Sequence, residues 1–280
     1  MIKEKAYAKV NLFLNVTGRR LDGYHDLEMV MASVDLFDVL TFEVLKDKEI
    51  VIESNVEITK TVEENLVYKI VKNVQEVFGI DLGVKITIQK NIPIAAGLAG
   101  GSADGAATLR GLNKLWKLKL SLEELSKIGI EFGADIPFCI YNKLCVAKGK
   151  GEEILFIEKG LHLPILLINP NIKVSTKDVF KKLHEDDMGF RKISDMTAGI
   201  YNSNFELIER ELFNSLEKTA FAMEPTIEVI KNQILELGIK GVLMSGSGAT
   251  VFAISKDKSK LKAIMDDFDA LYFKKLTKIR

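Results

Sequence analysis

The stretch Pro93-Ile94-Ala95-Ala96-Gly97-Leu98-Ala99-Gly100-Gly101-Ser102-Ala103 contains the densest glycine cluster of the chain. Beyond it Ala106, Leu109, Leu112 and Trp116 recur at helical spacing, so the loop delivers the chain into a helix amino terminus. Glycines let backbone N–H groups approach an anion closely, Ser102 adds a hydroxyl donor, and the positive end of the helix points to the same place. These are the makings of a phosphate cradle, although close packing alone also selects a Gly-Ala loop ahead of a helix. Other nucleotide loops are excluded. No Gly-Lys-Ser/Thr follows at Walker A spacing, the three spaced glycines of a dinucleotide loop are missing, and the sequence holds no protein-kinase catalytic-loop or Asp-Phe-Gly motif.

Upstream of the loop, strand-like runs cover residues 5–16, 27–42 and 49–53, with Asp22-Gly23 as a turn between the first two. Residues 65–78 read as an amphipathic helix with Leu66, Ile70, Val74 and Val77 on its apolar face, Asn65 as its N-cap and Gly79 at its end; a strand follows at 84–88. Downstream, a helix over 121–132 starts on Ser121 with Glu124 three residues on, and 163–169 is an apolar strand. Residues 177–213 are polar and show no clear period. Pro225 then opens a helix with Ile227, Ile230, Ile234 and Leu237 on one face, closed by Gly238. Strands at 242–244 and 250–254 flank a second glycine loop, Ser245-Gly246-Ser247-Gly248, for which a tight hairpin is the plain reading. Strands and helices interleave without a βαβ rhythm, so the expectation is α+β in two lobes, with a boundary near 151–161.

The 280 residues carry 39 basic and 39 acidic side chains, and 47% are hydrophobic against 28% charged. That balance excludes a disordered chain and a broad basic platform for nucleic acid. The length suits one large or two medium domains. The apolar runs at 92–98 and 163–168 fall far short of the roughly 18 residues needed to span a bilayer. The amino terminus mixes Lys3, Glu4, Lys5 and Lys9 and has no secretory core, so a cytoplasmic protein without a membrane partner is expected. Cys139 and Cys145 read as buried thiols rather than a disulfide.

Four motifs stand in order along the chain: residues 8–16 with 20–27 (Ala-Lys-Val-Asn-Leu-Phe-Leu-Asn-Val, then Arg-Leu-Asp-Gly-Tyr-His-Asp-Leu), the loop at 93–103, Gly133-Ala134-Asp135-Ile136-Pro137-Phe138, and Met244-Ser245-Gly246-Ser247-Gly248-Ala249. Together they resemble the GHMP kinase superfamily, and within it the family of 4-diphosphocytidyl-2-C-methyl-D-erythritol kinases of the non-mevalonate isoprenoid route. The resemblance implies a two-lobed GHMP kinase fold, with residues 1–155 as a ribosomal-protein-S5-domain-2-like, ATP-binding amino-terminal lobe, residues 156–280 as a carboxy-terminal α+β lobe, and an active site in the cleft between them. It implies transfer of the γ-phosphoryl of ATP, accompanied by Mg²⁺, to the 2-hydroxyl of the diphosphocytidyl substrate. Homoserine and mevalonate kinases are the alternative within the superfamily.

By the same resemblance Asp135 is the general base and Lys9 the cation beside it. On their own residues, Asp135 reads rather as a helix-end cap or turn residue before Pro137, and Lys9 as a solvated strand residue. The resemblance further implies ATP contacts from Pro93, Ile94, Ala95, Ala96, Gly97, Leu98, Ala99, Gly100, Gly101, Ser102 and Ala103, with Asn65 and Leu66 on the adenine side. It implies substrate contacts from Tyr24, His25, Thr176 and Phe180 around the cytidine, and from Asn11, Ser245, Gly246 and Ser247. Asn11 stands two residues from Lys9 on one strand and so shares its face. No metal ligand is identified, and the chain is expected to be a monomer or weak homodimer. It departs from the family pattern at Ala99, Ala103 and Gly105, and at Ser215, where an Asp is usual.

Overall fold

The computed structural model describes residues 1–189 and 191–280. The chain divides into two compact units, each assembled from more than one segment: residues 1–8, 36–94 and 99–142 form the first, and residues 9–35, 95–98 and 143–280 the second. Two long strands, β1 (Ile2–Arg19) and β2 (His25–Leu45), contribute residues to both. They are joined by the expected turn, in which Gly23 takes a left-handed φ of 84°.

In the first unit β3 (Ile50–Ser54), α1 (Leu66–Phe78), β4 (Gly83–Gln89), α2 (Gly100–Leu115), α3 (Leu122–Gly129) and α4 (Ile136–Tyr141) follow in order. Its strands run β3-β4-β2-β1, with β3 parallel to β4 and β4 antiparallel to β2 from Val39↔Gln89 to Leu45↔Gly83. Helix α2 packs so closely on β2 that a Cβ at Gly111 would lie in the Phe42 ring. The capping box at Ser121 and Glu124 is present, and Asn65 caps α1 by accepting from Val67 N. The buried face of α1 is Val67, Ile70, Val71 and Val74, while Val77 is exposed. The spacing through Leu66 and Val77 therefore placed the stripe about one position off, because the core draws on the 67/71 row rather than the 66/77 edge.

In the second unit the chain continues through β5 (Cys145–Gly149), β6 (Glu153–Phe156), β7 (Pro164–Asn169), α5 (Thr176–Lys182), α6 (Ile193–Tyr201), α7 (Phe205–Glu211), β8 (Phe213–Asn214), α8 (Glu217–Met223), α9 (Thr226–Glu236), β9 (Val242–Met244), β10 (Val251–Ile254), α10 (Lys258–Asp267) and β11 (Phe273–Lys278). An antiparallel sheet runs β11-β7-β10-β9, with α9 and α10 packed on it. Strand β8 lies parallel to β1 through Phe13↔Phe213 and Leu14↔Asn214. Among its described residues the aperiodic region 177–213 holds most of α5, all of α6 and α7 and a 3-10 turn at Glu185–Asp187, and these short helices bury too few residues to print a period. On α9 Ile227, Ile230 and Ile234 are buried, but Leu237 lies past the last turn and is exposed. Cys139 and Cys145 are buried and form no disulfide. No helix among the described residues is long and apolar enough to cross a membrane.

Candidate active site

In the second unit the candidate residues converge on the middle of the first glycine loop. Lys9 is buried on β1 and donates from Nζ to Asn11 Oδ1 at 2.6 Å, so it is no solvated strand residue, and the shared face expected for the pair is observed. Its own backbone N–H donates to Leu98 O at 3.1 Å, tying β1 to the loop. Ser245 Oγ donates to Gly97 O at 2.9 Å, and Thr250 N donates to Ala96 O at 3.3 Å, so the two glycine loops are hydrogen-bonded to each other. The approach needs glycine on both sides. Gly97 sits at φ 74° with no room for a Cβ beside the Ser245 and Gly248 backbone, and a Cβ on Gly246 would stand 3.1 Å from Gly97 O and 3.6 Å from Asn11 Oδ1.

Asn214 holds the second loop. Its Nδ2 donates to Met244 O and to Gly246 O, both at 2.8 Å, and its Oδ1 accepts from Leu216 N. Glu217 accepts from Met244 N and pairs with Lys231, and burial raises its pKa against the pull of that lysine. At the departure Ser215, the hydroxyl accepts from Val16 N and bonds Asn15 Oδ1, using the position to brace β1. Thr176 and Ser247 share a hydroxyl–hydroxyl bond of 2.8 Å, linking the start of α5 to the second loop.

His25 is buried, and its ring lies 5.2 Å from that of Phe180, tilted by 32°. Burial, with Arg19 nearby, holds the imidazole below its ordinary pKa, so at neutral pH it keeps one donor and one acceptor nitrogen. Tyr24 is placed differently: it is exposed, and the Lys150 ammonium lies 4.4 Å from its ring. The structure therefore pairs His25 with Phe180 and leaves Tyr24 on the turn.

The first unit supplies both ends of the loop. Ala99 precedes α2 in the left-handed region, φ 54°, and makes no side-chain cap. By helix geometry the amides of Gly100, Gly101 and Ser102 come before the first i to i−4 bond, which Ala103 N makes to Ala99 O at 2.8 Å. A Cβ at Gly101 would meet nothing within 4 Å. Open amides at an uncapped helix start are what an anion needs. Pro93 and Ile94 lead into the loop. Asn65, next to Leu66, lines a cavity of about 340 Å³ together with Ile52, Ser54, Asn55, Val56 and Thr61. Asp135 lies in the turn before Pro137, at the N-cap position of α4, as the plain reading has it, and its carboxylate makes no capping hydrogen bond to that helix.

One cluster had no sequence signal. Lys90 Nζ donates to Asp38 Oδ2 at 2.5 Å and to Asp104 Oδ2 at 2.7 Å, all three side chains being buried. Asp38 Oδ1 also accepts from the amides of Asn91 and Ile92. One ammonium cannot neutralise two carboxylates, and burial, opposed by Lys90 and reinforced by Asp38, pushes Asp104 up to about 7. Burial opposes the Lys90 charge, but Asp104 and Asp38 outweigh it and hold that pKa above its ordinary value.

Residues 65–143 match the GHMP kinases N terminal domain and residues 196–274 the GHMP kinases C terminal. A relative named putative 4-diphosphocytidyl-2-C-methyl-D-erythritol kinase, from Staphylococcus haemolyticus (strain JCSC1435), is 44% identical over 94% of each chain. The chain belongs to the 4-diphosphocytidyl-2-C-methyl-D-erythritol kinase family of GHMP kinases. The kinase of that name from Bacillus subtilis (strain 168) is 42% identical over 94% of this chain and 91% of its own. Among solved structures, a 4-(cytidine 5'-diphospho)-2C-methyl-D-erythritol kinase matches with a TM-score of 0.85 at 29% identity over 99% of each chain. A homoserine kinase from Cytophaga hutchinsonii matches with a TM-score of 0.79 at 21% identity, a likeness of fold. The two-domain α+β GHMP kinase fold expected from the four motifs is thus the fold of this kinase.

Proposed function

We propose that this chain transfers the γ-phosphoryl group of ATP to the 2-hydroxyl of 4-diphosphocytidyl-2-C-methyl-D-erythritol, giving the 2-phosphate and ADP. The observation that carries the reading is the 44% identity, over 94% of both chains, to a relative so named. Phosphoryl transfer asks a protein for positioning and charge stabilisation, with one base to take the hydroxyl proton. The Asp135 carboxylate accepts that proton, the substrate oxygen forms its bond to the γ-phosphorus, and the bond from that phosphorus to the ADP oxygen breaks. Lys9, oriented by Asn11, stabilises the developing negative charge.

The amides of Gly97 to Ser102 cradle the phosphates, and the cavity beside Asn65 and Leu66 takes the nucleoside. His25 offers a donor and an acceptor to the cytosine edge, Phe180 offers it a ring face, and Tyr24 turns in from its exposed position. Thr176, Ser245, Gly246, Ser247 and Asn11 line the remainder of the acceptor. Mg²⁺ would accompany ATP and supply positive charge at its phosphates; among the described residues no group of three or more His, Cys, Asp or Glu is placed to hold a metal ion. We assign residues 1–155 as the ATP-binding domain and 156–280 as the second domain of a cytoplasmic monomer or weak homodimer.

A coupled ADP-release assay with the cytidine substrate, with phosphorus NMR to locate the new phosphate, tests the reading. Phosphate at the 2-position supports it. Equal or better turnover of homoserine or mevalonate overturns it.

A further inference from the structure

The buried charges around Lys90 lie where the phosphate loop is rooted. Lys90 directly follows β4, and its ammonium joins Asp38 on β2 to Asp104 in the second turn of α2. Asp38 also fixes the entry to the loop through the amides of Asn91 and Ile92, at 2.5 and 2.8 Å. Asp104 belongs to the exit, two residues after Ser102. The Lys90 ammonium itself lies 3.5 Å from where a Cβ on Gly100 would stand. Lys90 is held by its backbone too: its N–H donates to Asn55 Oδ1 at 2.7 Å and its carbonyl accepts from Asn55 Nδ2 at 3.3 Å. Asn55 lines the cavity beside Asn65.

Burying one cation with two carboxylates is costly, and a fold gains little net stability from it compared with apolar packing. Such a cluster makes sense where position matters. Charge-assisted bonds are short and directional, and here they fix both ends of an otherwise glycine-rich, entropically loose segment to one atom. We propose that Lys90, held by Asp38 and Asp104, is a positioning residue that locks the two ends of the phosphate loop and so sets the affinity for ATP. The inference rests on the reading of residues 93–103 as an ATP cradle. It makes Lys90 no contact of the acceptor and no participant in proton transfer.

The test is equilibrium binding of a non-hydrolysable ATP analogue to the full chain, with steady-state KM values for ATP and for the cytidine acceptor, on wild type, Lys90→Met and Asp104→Asn. Lys90→Met is expected to weaken analogue binding about tenfold or more and to raise KM for ATP in parallel. KM for the acceptor should stay within about twofold. Asp104→Asn keeps the shape and leaves no orphaned charge, since its amide oxygen still accepts from Lys90; it should weaken the analogue about threefold. If Lys90→Met does not fold, Asp104→Asn decides alone. Wild-type analogue affinity in the folded variants, or equal rises in both KM values, overturns the inference while leaving the kinase reading intact. A wild type that binds no analogue overturns the ATP reading and this inference with it.

Discussion

Replacing Gly97 with alanine puts the joining of the two glycine loops to a quantitative test. Gly97 lies at φ 74°, where an L-residue costs about 1–2 kcal/mol. The new methyl would stand 2.9 Å from Gly248 O and closer still to Ser245 O. Both are backbone atoms, so no side chain can swing aside, and the forced shift adds about 1–3 kcal/mol. Gly97→Ala should therefore destabilise the protein by about 2–5 kcal/mol, read as a fall in the urea midpoint by circular dichroism. Gly101→Ala is the matched control. A methyl there meets nothing within 4 Å in a helical turn, so stability should rise by about 0.5–1 kcal/mol, while the methyl crowds the amides assigned to the phosphates and weakens ATP. A Gly97→Ala variant within about 0.5 kcal/mol of wild type would refute the close approach of the loops. Unchanged ATP affinity in Gly101→Ala would refute the cradle.

Asp135→Asn should lower kcat by a factor of about 100 to 10,000 in the coupled assay while the chain still folds, as read by circular dichroism. Asn214→Ala removes the donors to two buried carbonyls and the acceptor for Leu216 N; a loss of about 3 kcal/mol or more in urea unfolding is expected, at about 1–3 for each of the three groups left unsatisfied. Asp104 gives a pH dependence of known sign. Its pKa is up to about 7 in the fold, so the folded chain retains a proton that the unfolded chain releases near the ordinary carboxylate value. That contribution to stability is complete below about pH 4 and is lost as pH rises through 7. Asp104→Asn should flatten the stability profile between those limits, and a profile as steep as wild type would reject the assignment.

Much of the molecule was legible because its signals are local. The caps at Asn65 and Ser121, the turn at Gly23, the helix start after Ala99 and the hairpin around Ser245 each depend on residues a few positions apart, and the structure keeps all of them. The ordered motifs carried the fold and the family. Edges were less legible: Val77 and Leu237 match a helical period, but the core that chooses which row to bury is made by other elements. Residues 177–213 printed no period because helices of seven to nine residues bury only one to three side chains each.

The sequence by itself determined the two glycine loops, the strand bearing Lys9 and Asn11, and the identity of the residues assigned to catalysis, since each lies within a short contiguous motif. Only the tertiary structure decided that the loops are hydrogen-bonded to each other, that Asn214 braces the second one, and that Lys90 joins residues 52 and 14 positions away. The physical reason is that backbone conformation and capping are governed by near neighbours, whereas burying a charge or closing two loops on each other depends on which distant groups folding brings within about 3 Å.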